Sequence, residues 1–308
     1  MRRVIGIGET ILDILFRDNQ PQAAVPGGSV YNAAISLGRM GVNVMFISET
    51  GNDRVGEMIL QNMRDNGVST EHVNVFPEGK SPVSLAFLNE RNDAEYIFYK
   101  DYPRQRLEVK MPEITADDII MIGSYFAITP VLRDKVVELL EQAHKAGAII
   151  YYDVNFRSTH RNEAIKLMPT ILENFEYADI LRGSTEDFQN MFGLAEADAV
   201  YRKHVAFYCQ NFICTDADKD ICLRTRQVTK NYPVEPLQAV STIGAGDNFN
   251  AGVVLGLLKN RIRRNDLAEL TEADWDAIIQ CGKDFSADVC KSVNNSVSKA
   301  FAEAYKNK

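Results

Sequence analysis

The run Ser241-Thr242-Ile243-Gly244-Ala245-Gly246-Asp247-Asn248-Phe249-Asn250-Ala251-Gly252 constrains this chain more than any other stretch. Gly244, Ala245 and Gly246 carry almost no side chain. Behind them, residues 249–258 read as an apolar helix, with Val253, Val254, Leu257 and Leu258 spaced for one buried face. Small residues at a helix start leave backbone N–H groups bare and aimed outward. With the positive end of the helix dipole they form an anion site. Asp247 falls in the first turn, where a carboxylate favours the dipole of any helix. It is also a base within one turn of an anion hole. That pairing suits phosphoryl transfer to a hydroxyl: the amides hold the developing negative charge and the carboxylate takes the proton.

The 308 residues suffice for one large α/β domain or two smaller ones. A net charge of −8 argues against nucleic acid or an anionic membrane surface as the main partner, but leaves a nucleotide open because a local anion hole outweighs it at short range. The five cysteines are scattered, odd in number and form no C-x-x-C, so neither a zinc site nor a redox pair is suggested. The start runs straight into a strand-like segment without the apolar region of a signal peptide. No run reaches the length of a membrane span. These features predict a soluble cytoplasmic protein.

Val4-Ile5-Gly6-Ile7-Gly8 is a buried strand candidate, and Asp13 just beyond it can point into a site at the carboxyl edge of a sheet. Gly6-x-Gly8 lacks the third glycine of a dinucleotide fingerprint, which disfavours a dinucleotide-dependent oxidoreductase. In Pro26-Gly27-Gly28-Ser29-Val30-Tyr31-Asn32, the glycine pair permits close backbone approach. Asn32 is either a helix cap or a sugar-hydroxyl ligand. Val83, Leu85 and Phe87 alternate, the turn Asn89-Glu90-Arg91-Asn92-Asp93 follows, and Tyr96-Ile97-Phe98-Tyr99 completes a β-hairpin pattern. From residue 118 strands near 118–123, 148–153 and 212–215 alternate with helices near 131–146, closed at Gly147, and 167–175. That alternation predicts a parallel sheet covered on both faces. Asp153-Val154-Asn155-Phe156-Arg157 ends a strand with polar groups spaced by two, which point one way if the strand continues.

The run at 241–252 resembles the C-terminal signature of the PfkB (ribokinase-like) carbohydrate kinases, D-T-x-G-A-G-D-x-F-x-x-G, departing only at Ser241. The glycine–asparagine stretch, Leu37-Gly38-Arg39-Met40-Gly41 and Gly51-Asn52-Asp53-Arg54-Val55-Gly56 resemble the N-terminal half of the same family. The resemblance implies a ribokinase-like three-layer α/β/α sandwich, with a mostly parallel central sheet and a small β-sheet lid. It implies a single kinase domain over residues 1–308, with the lid inserted at about 14–26 and 81–110. On it, Asp247 is the base and the amides of Gly244, Ala245 and Gly246 form the anion hole. Asp13, Gly27, Gly28 and Asn32 hold the sugar, and Phe98 or Tyr99 touches it from the lid. ATP is the donor, and Mg²⁺ bridges its phosphates.

Three further stretches fall where the family binds ligands. Asp153 to Arg157 is similar to the D-x-N-x-R of fructokinases and 2-keto-3-deoxygluconate kinases, which places Arg157 at the site, where its fork suits phosphate or a sugar acid. Ser184-Thr185-Glu186-Asp187 stands for N-x-x-E, so that Asp187 orders metal-bound water; a helix N-cap with first-turn acids explains the same residues locally. Thr215, Ala217 and Asp220 stand in the nucleotide loop T-x-G-x-x-G, with both glycines replaced, and Thr242 is assigned to the nucleotide with them, as is Ser184. Ser241 and Asn294-Asn295 remove two elements of the family's monovalent-cation site, which predicts insensitivity to K⁺. The expected reaction is phosphorylation of fructose, with 2-keto-3-deoxygluconate second. A nucleoside kinase and a degenerate sugar-binding regulator are the other readings. The aromatic hairpin also predicts a homodimer through the lids.

Overall fold

The computed structural model describes residues 2–89, 94–217 and 219–306. Residues 90–93 of the hairpin turn, and Asp218, lie outside them.

The chain begins with β1 (Arg3–Ile7), β2 (Ile11–Arg17) and β3 (Gln20–Gly27). Next come α1 (Ser29–Arg39), β4 (Asn43–Gly51), α2 (Arg54–Asp65), β5 (Val68–Ser69), β6 (Val73–Phe76), β7 (Lys80–Leu88), β8 (Ala94–Asp101) and β9 (Ile119–Gly123). Then follow α3 (Arg133–Ala146), β10 (Ile149–Asp153), α4 (Ala164–Tyr177), β11 (Ile180–Ser184), α5 (Thr185–Phe192), α6 (Ala197–Val200), β12 (Asn211–Thr215), β13 (Asp220–Arg224) and β14 (Thr229–Pro233). The chain closes with α7 (Ala245–Lys259), α8 (Glu272–Val289) and α9 (Lys299–Lys306).

The main sheet runs β14-β13-β12-β11-β10-β9-β1-β4-β5, with β6 on the far end of β4. From β12 to β5 the pairings are parallel, as expected of apolar strands buried on both faces. β13 and β14 add an antiparallel edge that the periodicity does not announce. Phe46, Trp275 and Phe285 fill one face with α1, α7 and α8. Tyr152, Phe156, Phe175 and Phe188 fill the other with α3 and α4. Gly147 closes α3 in the left-handed conformation, at φ 77°.

The smaller sheet runs β3-β2-β7-β8: two antiparallel hairpins joined by the parallel pair β2–β7. It begins at Ile11, a few residues before the expected insertion. The strand register sorts its side chains. Asp13 lies beside Ser84, Ser84 beside Phe98 and Ala86 beside Tyr96, so these share the face toward the main sheet. Ile14, Phe16, Leu85, Phe87, Ile97 and Tyr99 form the opposite, apolar face, where Phe16 stacks on Phe87 at 4.9 Å. Among the described residues no helix is long and apolar enough to cross a membrane.

Candidate active site

The site lies where the carboxyl ends of the parallel strands meet the start of α7, the position at which open α/β sheets bind ligands. Gly244 caps α7 at φ 77°, a left-handed conformation that a side chain would strain. A Cβ there would also stand 3.0 Å from the Asn295 carbonyl. No side chain caps this helix end. The Ala245 N–H turns back onto the Thr242 carbonyl at 3.2 Å, so the amides left for an anion are those of Gly244, Gly246 and Asp247. Thr242 itself is exposed beside them.

Asp247 is buried and accepts a hydrogen bond from Asn32 Nδ2 at 2.8 Å. Asn32 is therefore not a cap: Gly28 holds that position, and Asn32 reaches from inside α1 to Asp247. Burial pushes the Asp247 carboxyl up to about 6, against the Asn32 hydrogen bond and the charge of Arg157. Asp13 behaves alike. Burial raises it to about 6, the Ser84 hydroxyl hydrogen bond works the other way, and Glu9 and Asp247 push it further up. Two carboxylates of raised proton affinity thus share one cleft.

The lid covers this cleft with Tyr96 and Phe98, stacked at 5.7 Å; the Tyr96 hydroxyl is raised by burial and feels Asp13, Arg157 and Asp247. Tyr99 sits on the other face, 58% exposed. Strand alternation therefore takes Tyr99 away from the cleft and puts Tyr96 toward it. Lys100, beyond Phe98 on the cleft face, pairs with Glu9 at 2.5 Å.

The three polar groups after β10 do not share a direction. The strand ends at Asp153, and Asn155 takes φ 40°, which breaks the alternation. Asp153 turns inward to Arg182 at 3.0 Å and accepts from Asn250 at 2.8 Å, which in turn accepts from the Tyr151 hydroxyl at 2.8 Å. Arg157 stands exposed in the cleft; burial of its surroundings works against its charge, but Asp187 and Asp247 outweigh this and raise it.

Arg182 is the functional candidate that motif reading missed. Its guanidinium is buried, donates to Thr215 Oγ1 at 2.6 Å, and lies 3.0 Å from where a Cβ on Gly246 would be. Among the described residues its Nε finds no hydrogen-bond partner. Glycine at 246 leaves this cation room directly behind the anion loop, where a Cβ would crowd it. The signal was a lone arginine in the apolar strand Ile180-Leu181-Arg182-Gly183. Asn248 and Asn250, at variable positions of the signature, were equally unannounced.

Ser184 and Asp187 form a reciprocal capping box on α5: Ser184 Oγ accepts from the Asp187 N–H at 3.1 Å, and Asp187 Oδ2 accepts from Ser184 N and Oγ at 2.7 Å each. The local explanation of these residues therefore holds. Burial and Asp153 raise the Asp187 carboxyl. In the loop after β12, Asp216 accepts from Thr185 at 2.8 Å and pairs with Lys219 at 3.0 Å. Ala217 takes φ 46°, the conformation that glycine adopts freely, so the loop keeps a turn its sequence had seemed to lose. Asp220 is exposed at the start of β13.

The description "pfkB family carbohydrate kinase" matches residues 2–299. The chain belongs to this family. A fructokinase of Rhizobium leguminosarum bv. trifolii is 26% identical over 278 residues, covering 87% of this chain and 84% of the relative. Among solved structures, the fructokinase of Vibrio cholerae O395 with fructose, ADP and calcium ion superimposes with a TM-score of 0.83 at 19% identity, over 99% of both chains. Aminoimidazole riboside kinase of Salmonella enterica, with aminoimidazole riboside and an ATP analogue, gives 0.81 at 20% identity, again over 99% of both. The fold of this pfkB kinase is thus that of ribokinase-like sugar kinases, with the same pairing of a main sheet and a lid.

Proposed function

We propose that this kinase transfers the γ-phosphoryl group of ATP to a hydroxymethyl group of a free sugar, and that the sugar is fructose. The observation that carries the reading is Asp247: a buried carboxylate in the first turn of an uncapped helix, held by Asn32 and facing Asp13 across the cleft. Asp13, Gly27, Gly28 and Asn32 hold the sugar beneath Tyr96 and Phe98. Asp247 accepts the hydroxyl proton as that oxygen attacks phosphorus. The free amides of Gly244, Gly246 and Asp247 receive the transferring group, with Arg157 and Arg182 supplying positive charge on either side. The nucleotide runs along Thr215, Ala217, Asp220 and Thr242, at the ends of β12 and β13. Mg²⁺ on the nucleotide would neutralise phosphate charge. An ion carried on phosphates needs few protein oxygens, and Asp187, whose contacts with Ser184 both fall on Oδ2, fits that minor part through water.

Fructose is favoured by relatives named fructokinase and by the fructose-bound neighbour. The second reading, a sugar acid such as 2-keto-3-deoxygluconate, is favoured by Arg157 standing exposed in the cleft. A nucleoside substrate has the support of the aminoimidazole riboside kinase fold. The retained turn at Ala217 weighs against a degenerate regulator. ADP release over fructose, 2-keto-3-deoxygluconate, sugar phosphates and nucleosides tests the reading. Fastest turnover of fructose is expected, and release with nucleosides alone would reject it. The chain works as one kinase domain. Its apolar outer lid face, with Ile97 45% and Tyr99 58% exposed, pairs with a second copy; light scattering at micromolar concentration should give a dimer.

A further inference from the structure

The loop between α8 and α9 carries an asparagine in an unusual place. Asn295 is 1% exposed. Its Nδ2 lies 3.4 Å from Asp13 Oδ2, a long hydrogen bond with room to tighten. Its backbone carbonyl accepts from Asn248 Nδ2 at 2.9 Å, and the same Nδ2 donates to the Gly244 carbonyl at 2.8 Å. Ser36 donates to Asn248 Oδ1, and the Ser36 hydroxyl accepts from the Val297 N–H at 3.0 Å, which locks the loop to α1 and α7 from both sides. Gly27 leaves the space: a Cβ there would stand 3.1 Å from Asn295 Nδ2 and collide with the Asp13 carboxylate. Asn295 Oδ1 is buried and, among the described residues, has no hydrogen-bond partner. The loop backbone is held on both sides, while the carboxamide, one half of it unsatisfied, has its one side-chain contact with Asp13. An unpaired buried acceptor costs stability, so the side chain is placed for that contact and not for packing.

We propose that Asn295 is a positioning residue for sugar recognition: from a loop locked to the anion-hole turn, its carboxamide keeps the Asp13 carboxylate charged and turned toward the sugar. This rests on the sugar-kinase reading and adds to it a residue at which the sugar side and the phosphoryl side of the cleft are joined through one backbone segment. The other groups facing Asp13 are Ser84, Glu9, Asp247 and Tyr96. Against two acids and a phenol, the donors to Asp13 are Ser84 and Asn295.

The test is a carboxyl NMR titration of Asp13 in the ligand-free protein, wild type against Asn295→Leu, together with the KM for D-fructose at pH 7.5. Removing the Asn295 donor removes a group that favours and orients the charged carboxylate, so the Asp13 midpoint should rise; because Asp13 stays mostly ionised at pH 7.5, the KM should rise severalfold through lost orientation. The kcat should change less than the KM, and the melting temperature should stay close to wild type. A midpoint that does not move overturns the proposal whatever the kinetics do, and so does a raised midpoint with an unchanged KM. If Asn295→Leu does not fold, Asn295→Ala is read in the same way. If the wild type ignores fructose, the substrate reading fails on its own, and the ligand-free titration still decides whether Asn295 acts on Asp13.

Discussion

Asp247 and Asp13 both titrate near 6 because burial penalises their charged forms more than Asn32 and Ser84 favour them. A base must be ionised to accept a proton. The kcat/KM should therefore rise with pH through about 6 and level off above it; a flat profile from about pH 5 to 8 would remove Asp247 from that role. The same shift has a stability consequence of definite sign. A carboxyl whose folded pKa is raised contributes stability below its ordinary range, and that contribution is lost as pH rises through about 6. Asp247→Asn should thus melt above wild type at pH 7.5, with the gap closing as the pH falls toward 4, which differential scanning calorimetry can follow. Asp247 and Asn32 stood out in the sequence because each follows small residues that permit close backbone approach, and Asp13 because it lies just past the first buried strand. Arg182 was not, because a buried arginine in a strand is defined by Asp153 and Thr215, which are 29 and 33 residues away.

At the scale of elements, the parallel strands were legible as apolar runs and α3 as an amphipathic stripe with a glycine stop. β13 and β14 were not: Asp220-Ile221-Cys222-Leu223-Arg224 is short, flanked by charge, and becomes a strand only against β12. The lid shows the same limit. Alternation identified its strands but not which parity faced the cleft, since that is fixed by Asp13 and Ser84 meeting across β2 and β7. The resulting prediction separates neighbours on one strand. Tyr96→Ala and Phe98→Ala should each raise the sugar KM about fivefold, equivalent to about 1 kcal/mol of lost aromatic contact, while Tyr99→Ala leaves it unchanged. Equal effects at positions 98 and 99 in steady-state kinetics would mean that the lid turns differently over its substrate.

For the whole molecule, the anion-hole turn is tied down by hydrogen bonds from its own neighbours. Ser241 Oγ accepts from the Ile243 N–H at 3.2 Å, and Asn248 Nδ2 occupies the carbonyls of Gly244 and Asn295. These carbonyls face an amide donor, and Ser241 brings no charge to offset the dehydration of a monovalent cation. Replacing Na⁺ by K⁺ at matched ionic strength should therefore change kcat/KM by less than tenfold, about 1.4 kcal/mol; a larger rise with K⁺ alone would point to a carboxylate such as Asp216 or Asp220 serving the site. The central claim is that one carboxylate at the start of α7 makes this pfkB fold a working sugar kinase. The most direct measurement is fructose-dependent ADP release by wild type and Asp247→Asn side by side, with fructose binding measured on both. Loss of turnover by a hundredfold to about ten-thousandfold with fructose binding retained is the predicted result. Near wild-type turnover in Asp247→Asn would contradict it.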